Sequence, residues 1–166
     1  MEMYYQDVFI TLNRRLVRYV VTGGIALVLH GVVRMTADLD IIIDLEQENI
    51  DRFLSAMHDL GYKPKIPVPP EEFKDPMKRR EWKDEKIWVF SFFNPQKPFQ
   101  VIDVFIENPI PFNEIDKEKT IITAGDISIP IVSINLLKKL KKISGRAQDM
   151  ADISALNDLE ELNSND

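Results

Sequence analysis

The sequence predicts an α/β (α+β) fold in which a mixed, mostly antiparallel sheet is flanked by helices, and three observations lead there. Short apolar runs with alternating or doubly buried character (Tyr19–Thr22, Leu39–Leu45, Ile87–Phe93, Phe99–Ile106) read as strands. Amphipathic stripes at helical spacing separate or flank them, as in Ile50, Phe53, Leu54, Met57 and Leu60. Turn signals fall between the runs: Gly61, Asn94-Pro95, Asn108-Pro109, Gly125-Asp126 and Gly145.

In chain order, Val8, Phe9, Leu12, Leu16 and Val20 recur near helical spacing, so a packing helix precedes the first strand. Tyr19–Thr22 then hands over through Gly23-Gly24 to an apolar helix over Ile25–Leu29. The strand Leu39–Leu45 carries Ile41, Ile42 and Ile43 in a row, the pattern of a central strand covered on both faces. The helix through Leu60 stops at Gly61. From Tyr62 to Lys86 five prolines deny a long regular element, and the expectation is an excursion with one short helix near Met77 to Trp82. Lys78, Arg79, Arg80 and Lys83 there alternate with acids, as on a solvated surface. Two strands joined through residues 94–98, a helical turn around Pro111 to Glu118, a hairpin tipped by Gly125-Asp126, and helices over Ile134–Ile143 and Arg146–Leu162 complete the chain.

Length and charge narrow the function. At 166 residues one domain, residues 1–166, is expected, with a core large enough to support it. Cysteine is absent, which excludes disulfides and thiolate-bound zinc. Met1 to Asp7 lack a basic start and apolar run, and no apolar stretch reaches the roughly 20 residues of a membrane helix, so the expected compartment is the cytoplasm. A net charge of −6 argues against broad, sequence-independent grip on nucleic acid. Lys138, Lys139, Lys141, Lys142 and Arg146 nevertheless crowd one segment ahead of an acidic tail, Asp149 to Asp166, and either form a solvated helix face or turn a local positive patch toward a triphosphate or an RNA end.

The chemistry concentrates between residues 19 and 43. Glycines between a strand and a helix put backbone amides at a helix N-terminus, where phosphate is favoured. The same glycines also suit a tight turn that lets helix and strand pack closely. Asp38 and Asp40 lie two residues apart, hence on one face of the following strand, and two hard oxygen donors so placed suit Mg²⁺ or Mn²⁺. Asp103 stands alone inside an apolar strand, where a carboxylate needs a charged or metal partner. Asp44 shares the face of the first two acids and reads as a strand-end residue.

The Gly23-Gly24 pair, followed after the thirteen residues 25–37 by Asp38-x-Asp40, resembles the DNA polymerase β-type nucleotidyltransferase superfamily. With His30-Gly31 and Arg34-x-Thr36-x-Asp38-x-Asp40, the unit looks most like the small AbiEii/AbiGii-type branch, which includes toxin and phage-defence proteins. The later run Ser133-x-x-x-Leu137-x-x-x-Lys141, then Gly145-Arg146-x-x-Asp149-x-x-Asp152-Ile153, resembles the end of the same branch. The resemblance implies a nucleotidyltransferase fold and transfer of a nucleoside monophosphate from an NTP to a hydroxyl of RNA, protein or a small acceptor. It implies Asp38, Asp40 and Asp103 as metal-binding catalytic acids with Mg²⁺ or Mn²⁺ as cofactor. Gly23, Gly24, Arg34, Thr36 and Lys141 would bind the nucleotide, with Lys139 as the alternative lysine. Many members have Gly-Ser where this chain has Gly-Gly, which removes one hydroxyl contact to phosphate. Arg34 either approaches the phosphates or pairs with Asp38 or Asp40, His30 reads as a cap for last-turn carbonyls, and Arg146 with Asp149 as an ion pair on one helix face. Two other readings stay open: a nucleotide-binding or regulatory module without turnover, and a toxin–antitoxin or defence component that acts through a partner protein.

Overall fold

The computed structural model describes residues 3–165. Met1 and Glu2 of the N-terminal segment, and Asp166 of the acidic tail, lie outside the described residues. Among the described residues seven strands form one sheet: β1 (Tyr19–Thr22), β2 (Leu39–Ile43), β3 (Lys63–Pro64), β4 (Val89–Asn94), β5 (Lys97–Phe105), β6 (Thr120–Ala124) and β7 (Ile127–Ile131), in the order β3-β4-β5-β2-β1-β7-β6. Pairings β1–β7 and β2–β5 are parallel, and the other four are antiparallel, as a mixed, mostly antiparallel sheet requires. The central strands β1 and β2 are almost wholly buried, which is why their sequences run apolar without strict alternation.

Among the described residues seven α-helices flank the sheet: α1 (Gln6–Arg14), α2 (Gly23–His30), α3 (Gln47–Leu60), α4 (Pro76–Asp84), α5 (Phe112–Glu118), α6 (Ile134–Ser144) and α7 (Ala147–Ser164). Gly61 ends α3 and Gly145 ends α6, both in the left-handed conformation that spares glycine a Cβ clash. None of the described helices is long and apolar enough to cross a membrane.

Two expectations from the apolar pattern change. Leu16 does not join the buried stripe of α1: the chain leaves the helix at Arg15, Leu16 takes a left-handed φ of 57°, and Val17 folds back to donate to the Leu12 carbonyl at 3.0 Å. Val17 is buried and Leu16 is exposed. The proline-rich stretch holds more structure than one helix. Pro70–Lys74 forms a 3₁₀ helix, Lys63–Pro64 adds an edge strand, and Asp75 caps α4 by accepting from the Met77 amide at 2.9 Å. Proline limits each element to a turn or two, yet the turns seat Phe73 and Trp82 in the core. Phe73 and Trp82 meet Phe90 at ring distances of 5.6 and 5.0 Å, and Phe53 of α3 meets Phe92 at 5.6 Å. Burying each such ring is worth about 2–3 kcal/mol, so the excursion is bound firmly to one face of the sheet. The opposite face carries the acids.

Candidate functional site

Strand register brings the acids together. Asp40 of β2 is aligned with Thr22 of β1 on one side and with Asp103 of β5 on the other. Strands lie about 4.8 Å apart, so the two carboxylates leave neighbouring backbones on the same face. Asp38, two residues before Asp40, enters the same cavity from the loop ahead of β2. Of about 360 Å³, this cavity is lined by Gly23, Gly24, Arg34, Met35, Thr36, Ala37, Asp38, Asp40, Asp103, Lys141 and Arg146. Every residue singled out from the sequence as catalytic, metal-binding or nucleotide-binding is among them.

The glycine pair begins α2, with Thr22 as its N-cap residue. Gly23 has φ 67°, and a Cβ on it would sit 2.1 Å from Asp40 Oδ2. A Cβ on Gly24 would sit 2.4 Å from Thr36 Oγ1. Glycine is therefore demanded by close packing, and the same packing sets the Asp40 carboxylate against the helix N-terminus. The tight-turn and phosphate readings of the pair are compatible, since the amides at a helix start have no intrahelical partners.

Crowding governs the ionisation of the acids. Burial, then the charges of Asp103 and Asp38, push Asp40 up to about 7. Burial and Asp103 also raise Asp38, with Lys65 opposing. Asp103 Oδ1 accepts a hydrogen bond from Ser91 Oγ, across the β4–β5 pairing. Among the described residues no three carboxylate or imidazole groups converge into a formed metal cage. The donor set is nonetheless all carboxylate oxygen, which fits a hard divalent cation such as Mg²⁺ or Mn²⁺.

A chain of alternating charges closes the other wall. Lys141, on α6 and almost fully buried, lies 3.2 Å from Asp149 Oδ1 and 3.0 Å from Asp152 Oδ2. Asp152 Oδ2 also accepts from Arg34 Nη1 at 2.9 Å, and Asp149 Oδ2 accepts from Arg146 Nε at 2.9 Å. Burial works against ionisation of Asp149, but hydrogen bonds from Arg146, Ser144 and Lys141 outweigh it and hold this carboxyl well below the usual range. Three cations thus face the cavity around two carboxylates.

Two sequence expectations, the partner of Arg34 and the cap at His30, are corrected here, and the other readings keep their form. Arg34 pairs with Asp152 rather than with Asp38 or Asp40, because its loop runs alongside α7. His30 does not cap its own helix: its Nε2 donates to the Val132 carbonyl at 2.7 Å and ties α2 to the end of β7. Lys139 turns away toward Glu114, at 3.9 Å, and leaves the cavity to Lys141. Arg146 and Asp149 form the anticipated pair and also a reciprocal cap at the start of α7. Asp44 pairs with Arg18 at the far end of β2, a strand-end role. Sequence reasoning left out Ser91, whose only signal was a lone hydroxyl in the apolar run Val89-Phe-Ser-Phe-Phe93, and Tyr5. The buried Tyr5 hydroxyl donates to the Ala37 carbonyl at 2.6 Å and accepts from the Val101 amide at 3.1 Å, pinning the loop before Asp38 to β5.

Among solved structures, the chain is similar to a lincosamide antibiotic adenylyltransferase, LnuA, with lincomycin bound: 18% identity, TM-score 0.59, covering 96% of this chain and 99% of that one. It is similar to a Thermotoga maritima protein described as a nucleotidyltransferase, at 15% identity, TM-score 0.57 and coverage of 96% and 90%. It is also similar to ANT(2")-Ia in complex with adenylyl-2"-tobramycin, at 10% identity, TM-score 0.51 and coverage of 95% and 91%. The chain has a nucleotidyltransferase fold. No family model matches the sequence. No curated protein matches it. The likeness extends over nearly the whole chain, 96% of it in each of the first two alignments.

Proposed function

We propose that the protein is a metal-dependent nucleotidyltransferase that moves a nucleoside monophosphate from an NTP to a hydroxyl, and that residues 1–166 act as one catalytic domain. The observation that carries this is the alignment of Asp40 with Asp103 on adjoining strands, in one cavity with Asp38 and the Gly23-Gly24 helix start. The distant fold likeness to adenylyltransferases of small acceptors supports the same reaction class.

Asp38, Asp40 and Asp103 would hold Mg²⁺ or Mn²⁺, which when bound lowers the pKa of the attacking hydroxyl and neutralises the leaving pyrophosphate. Amides at Gly23 and Gly24 receive the terminal phosphates, and Thr36 adds a hydroxyl at the same corner. Arg34, Lys141 and Arg146 supply positive charge to the triphosphate from the opposite wall. A bond forms between acceptor oxygen and the α-phosphorus, the α–β bridge breaks, and the hydroxyl proton is released. Tyr5 and Ser91 hold the loop before Asp38 and the Asp103 carboxylate in position. Incubation with each labelled NTP, Mg²⁺ or Mn²⁺, total RNA and small hydroxyl compounds tests the reading: label incorporation must vanish in the Asp38→Asn, Asp40→Asn double variant.

The Arg34-x-Thr36-x-Asp38-x-Asp40 run supports placement in the AbiEii/AbiGii-type branch, where a partner protein and a toxin or defence role belong to the same proposal. A second reading, nucleotide binding without turnover, draws support from the three cations Arg34, Lys141 and Arg146 that line the cavity with the Gly23-Gly24 helix start, a set that suits phosphate by itself. Thermal stabilisation by NTP and Mg²⁺ with no pyrophosphate released would select it.

A further inference from the structure

The two strands that end the sheet are built differently. β3 is two residues long, Lys63 and Pro64. Shortness, lysine and proline all keep a sheet edge from pairing with another chain. β6, at the other end, has none of these protections. Its sequence Thr120-Ile-Ile-Thr-Ala124 holds no charge and no proline, its first four residues are β-branched, and it runs in unbroken register with β7.

Hydrogen-bond parity identifies the open backbone groups of β6. The Val132 amide donates to the Val21 carbonyl of β1 at 2.9 Å, and the Ser128 carbonyl accepts from Asn13 Nδ2 of α1 at 2.8 Å. Even-numbered residues of β7 therefore turn their backbone groups toward β1 and α1, and Pro130 among them has no amide to offer β6. Ile127, Ile129 and Ile131 turn toward β6, where they align with Ala124, Ile122 and Thr120. That leaves the N–H and C=O of Ile121 and Thr123 directed out of the sheet, and among the described residues no turn, loop or side-chain partner reaches them. The side chains of both residues are exposed as well, that of Ile121 by half.

We propose that the β6 edge docks a second copy of this chain, strand against strand, antiparallel about a twofold axis through Ile122. In that register Ile121 of each copy faces Thr123 of the other, so the outward groups of both residues exchange four hydrogen bonds across the seam. Each cross-strand pair joins two β-branched side chains, and no like charges meet within the strand. The ends of the strand favour the antiparallel arrangement. Lys119 precedes β6 and Asp126 follows it, so at both ends the lysine of one copy comes beside Gly125 and Asp126 of the other, whereas parallel pairing would set lysine against lysine. Glu118 belongs to α5 and not to the strand. Because β1 and β7 stand between this edge and the acid-bearing β2, the inference is independent of the nucleotidyltransferase reading.

Sedimentation equilibrium of the full chain tests this. Each copy carries a net charge of −6, so the solution holds about 0.15 M salt, where the Debye length is about 8 Å. One strand pair buries less than the roughly 1,200 Å² of a standard interface, so association is weak and the concentration series runs to about 1 mM. The mean mass should climb from 19.3 kDa toward twice that value. Ile121→Lys, which puts a lysine from each copy on the seam, and Thr123→Pro, which removes an outward amide that β7 does not use, should each weaken association at least about tenfold. Ile121→Lys changes an exposed side chain and keeps the fold, so the test stands even where the proline variant does not fold. Amide exchange at Ile121 and Thr123 should slow as concentration rises. A mass of one chain at every concentration, association that Ile121→Lys leaves unchanged, or exchange at Ile121 and Thr123 that is the same at both ends of the series would each overturn the proposal.

Discussion

Asp40 and Asp103 face each other across adjoining parallel strands, and neither has a cation within the sheet to answer it. The consequence is written in the energetics of Asp40. Asp40 keeps its proton to about pH 7, whereas in the unfolded chain it would lose it near 4. Between those values the folded state binds more protons, so stability falls as pH rises through this window and the full penalty is present above pH 7. Asp40→Asn should therefore raise Tm at pH 8, leave it nearly unchanged at pH 4, and flatten the slope between. Mg²⁺ should raise the Tm of the unaltered protein at pH 8 and lose most of that effect in the variant. Thermal melts across pH, with and without Mg²⁺, read all five outcomes.

Gly23→Ala meets two obstacles at once, a left-handed φ and a carboxylate oxygen 2.1 Å from the new methyl group. The left-handed conformation alone costs an alanine about 1 kcal/mol or more. Because Asp40 must also move, nucleotide affinity should fall further than stability does. Comparing the change in Tm with the change in NTP Kd separates the two.

Lys141 sits between Asp149 and Asp152 with almost no exposure, so removing it takes a cation from two buried carboxylates and leaves Asp149 to Arg146 and Asp152 to Arg34. Lys141→Ala should destabilise by roughly 3–5 kcal/mol, the cost of breaking a buried ion pair from one side. Lys141→Ala with Asp152→Asn should recover part of that loss in denaturant melts, because one of the two carboxylates deprived of Lys141 no longer carries a charge. Asp152→Asn alone should also weaken NTP binding, since Arg34 loses its anchor.

Ser91→Ala removes the hydrogen bond that orients Asp103. Stability should change by about 1 kcal/mol, while kcat drops with little change in the KM for NTP, because Ser91 touches the acid and not the phosphates. Steady-state kinetics checks the split.

Much of this was readable before any coordinates. The elements around Gly23-Gly24 and Asp38-x-Asp40 could be placed because local rules act there: glycine between strand and helix, alternation along a strand, apolar runs marking central strands. Asp103 could be nominated because a lone carboxylate in an apolar strand is costly without a partner. What the sequence could not reveal depends on distant register. The Ser91–Asp103 bond joins residues aligned only once β4 and β5 pair, and the Arg34–Asp152 bridge spans a loop and a helix far apart in the chain. Leu16 misled because helical periodicity is blind to where a helix ends. The proline-rich segment misled because proline density forbids long elements but says nothing of the short turns that carry Phe73 and Trp82 into the core.

The central claim is that three aspartates beside a glycine-bounded helix start carry out nucleotidyl transfer, and release of pyrophosphate from NTP tests it most directly. With Mg²⁺ and a hydroxyl acceptor, an α-phosphate label should pass to the acceptor as pyrophosphate accumulates. Asp38→Asn with Asp40→Asn should cut both by roughly a thousandfold, the loss of several kcal/mol of metal-borne stabilisation. Equal turnover in the double variant, or transfer of the γ-phosphate in place of the α, would contradict the account.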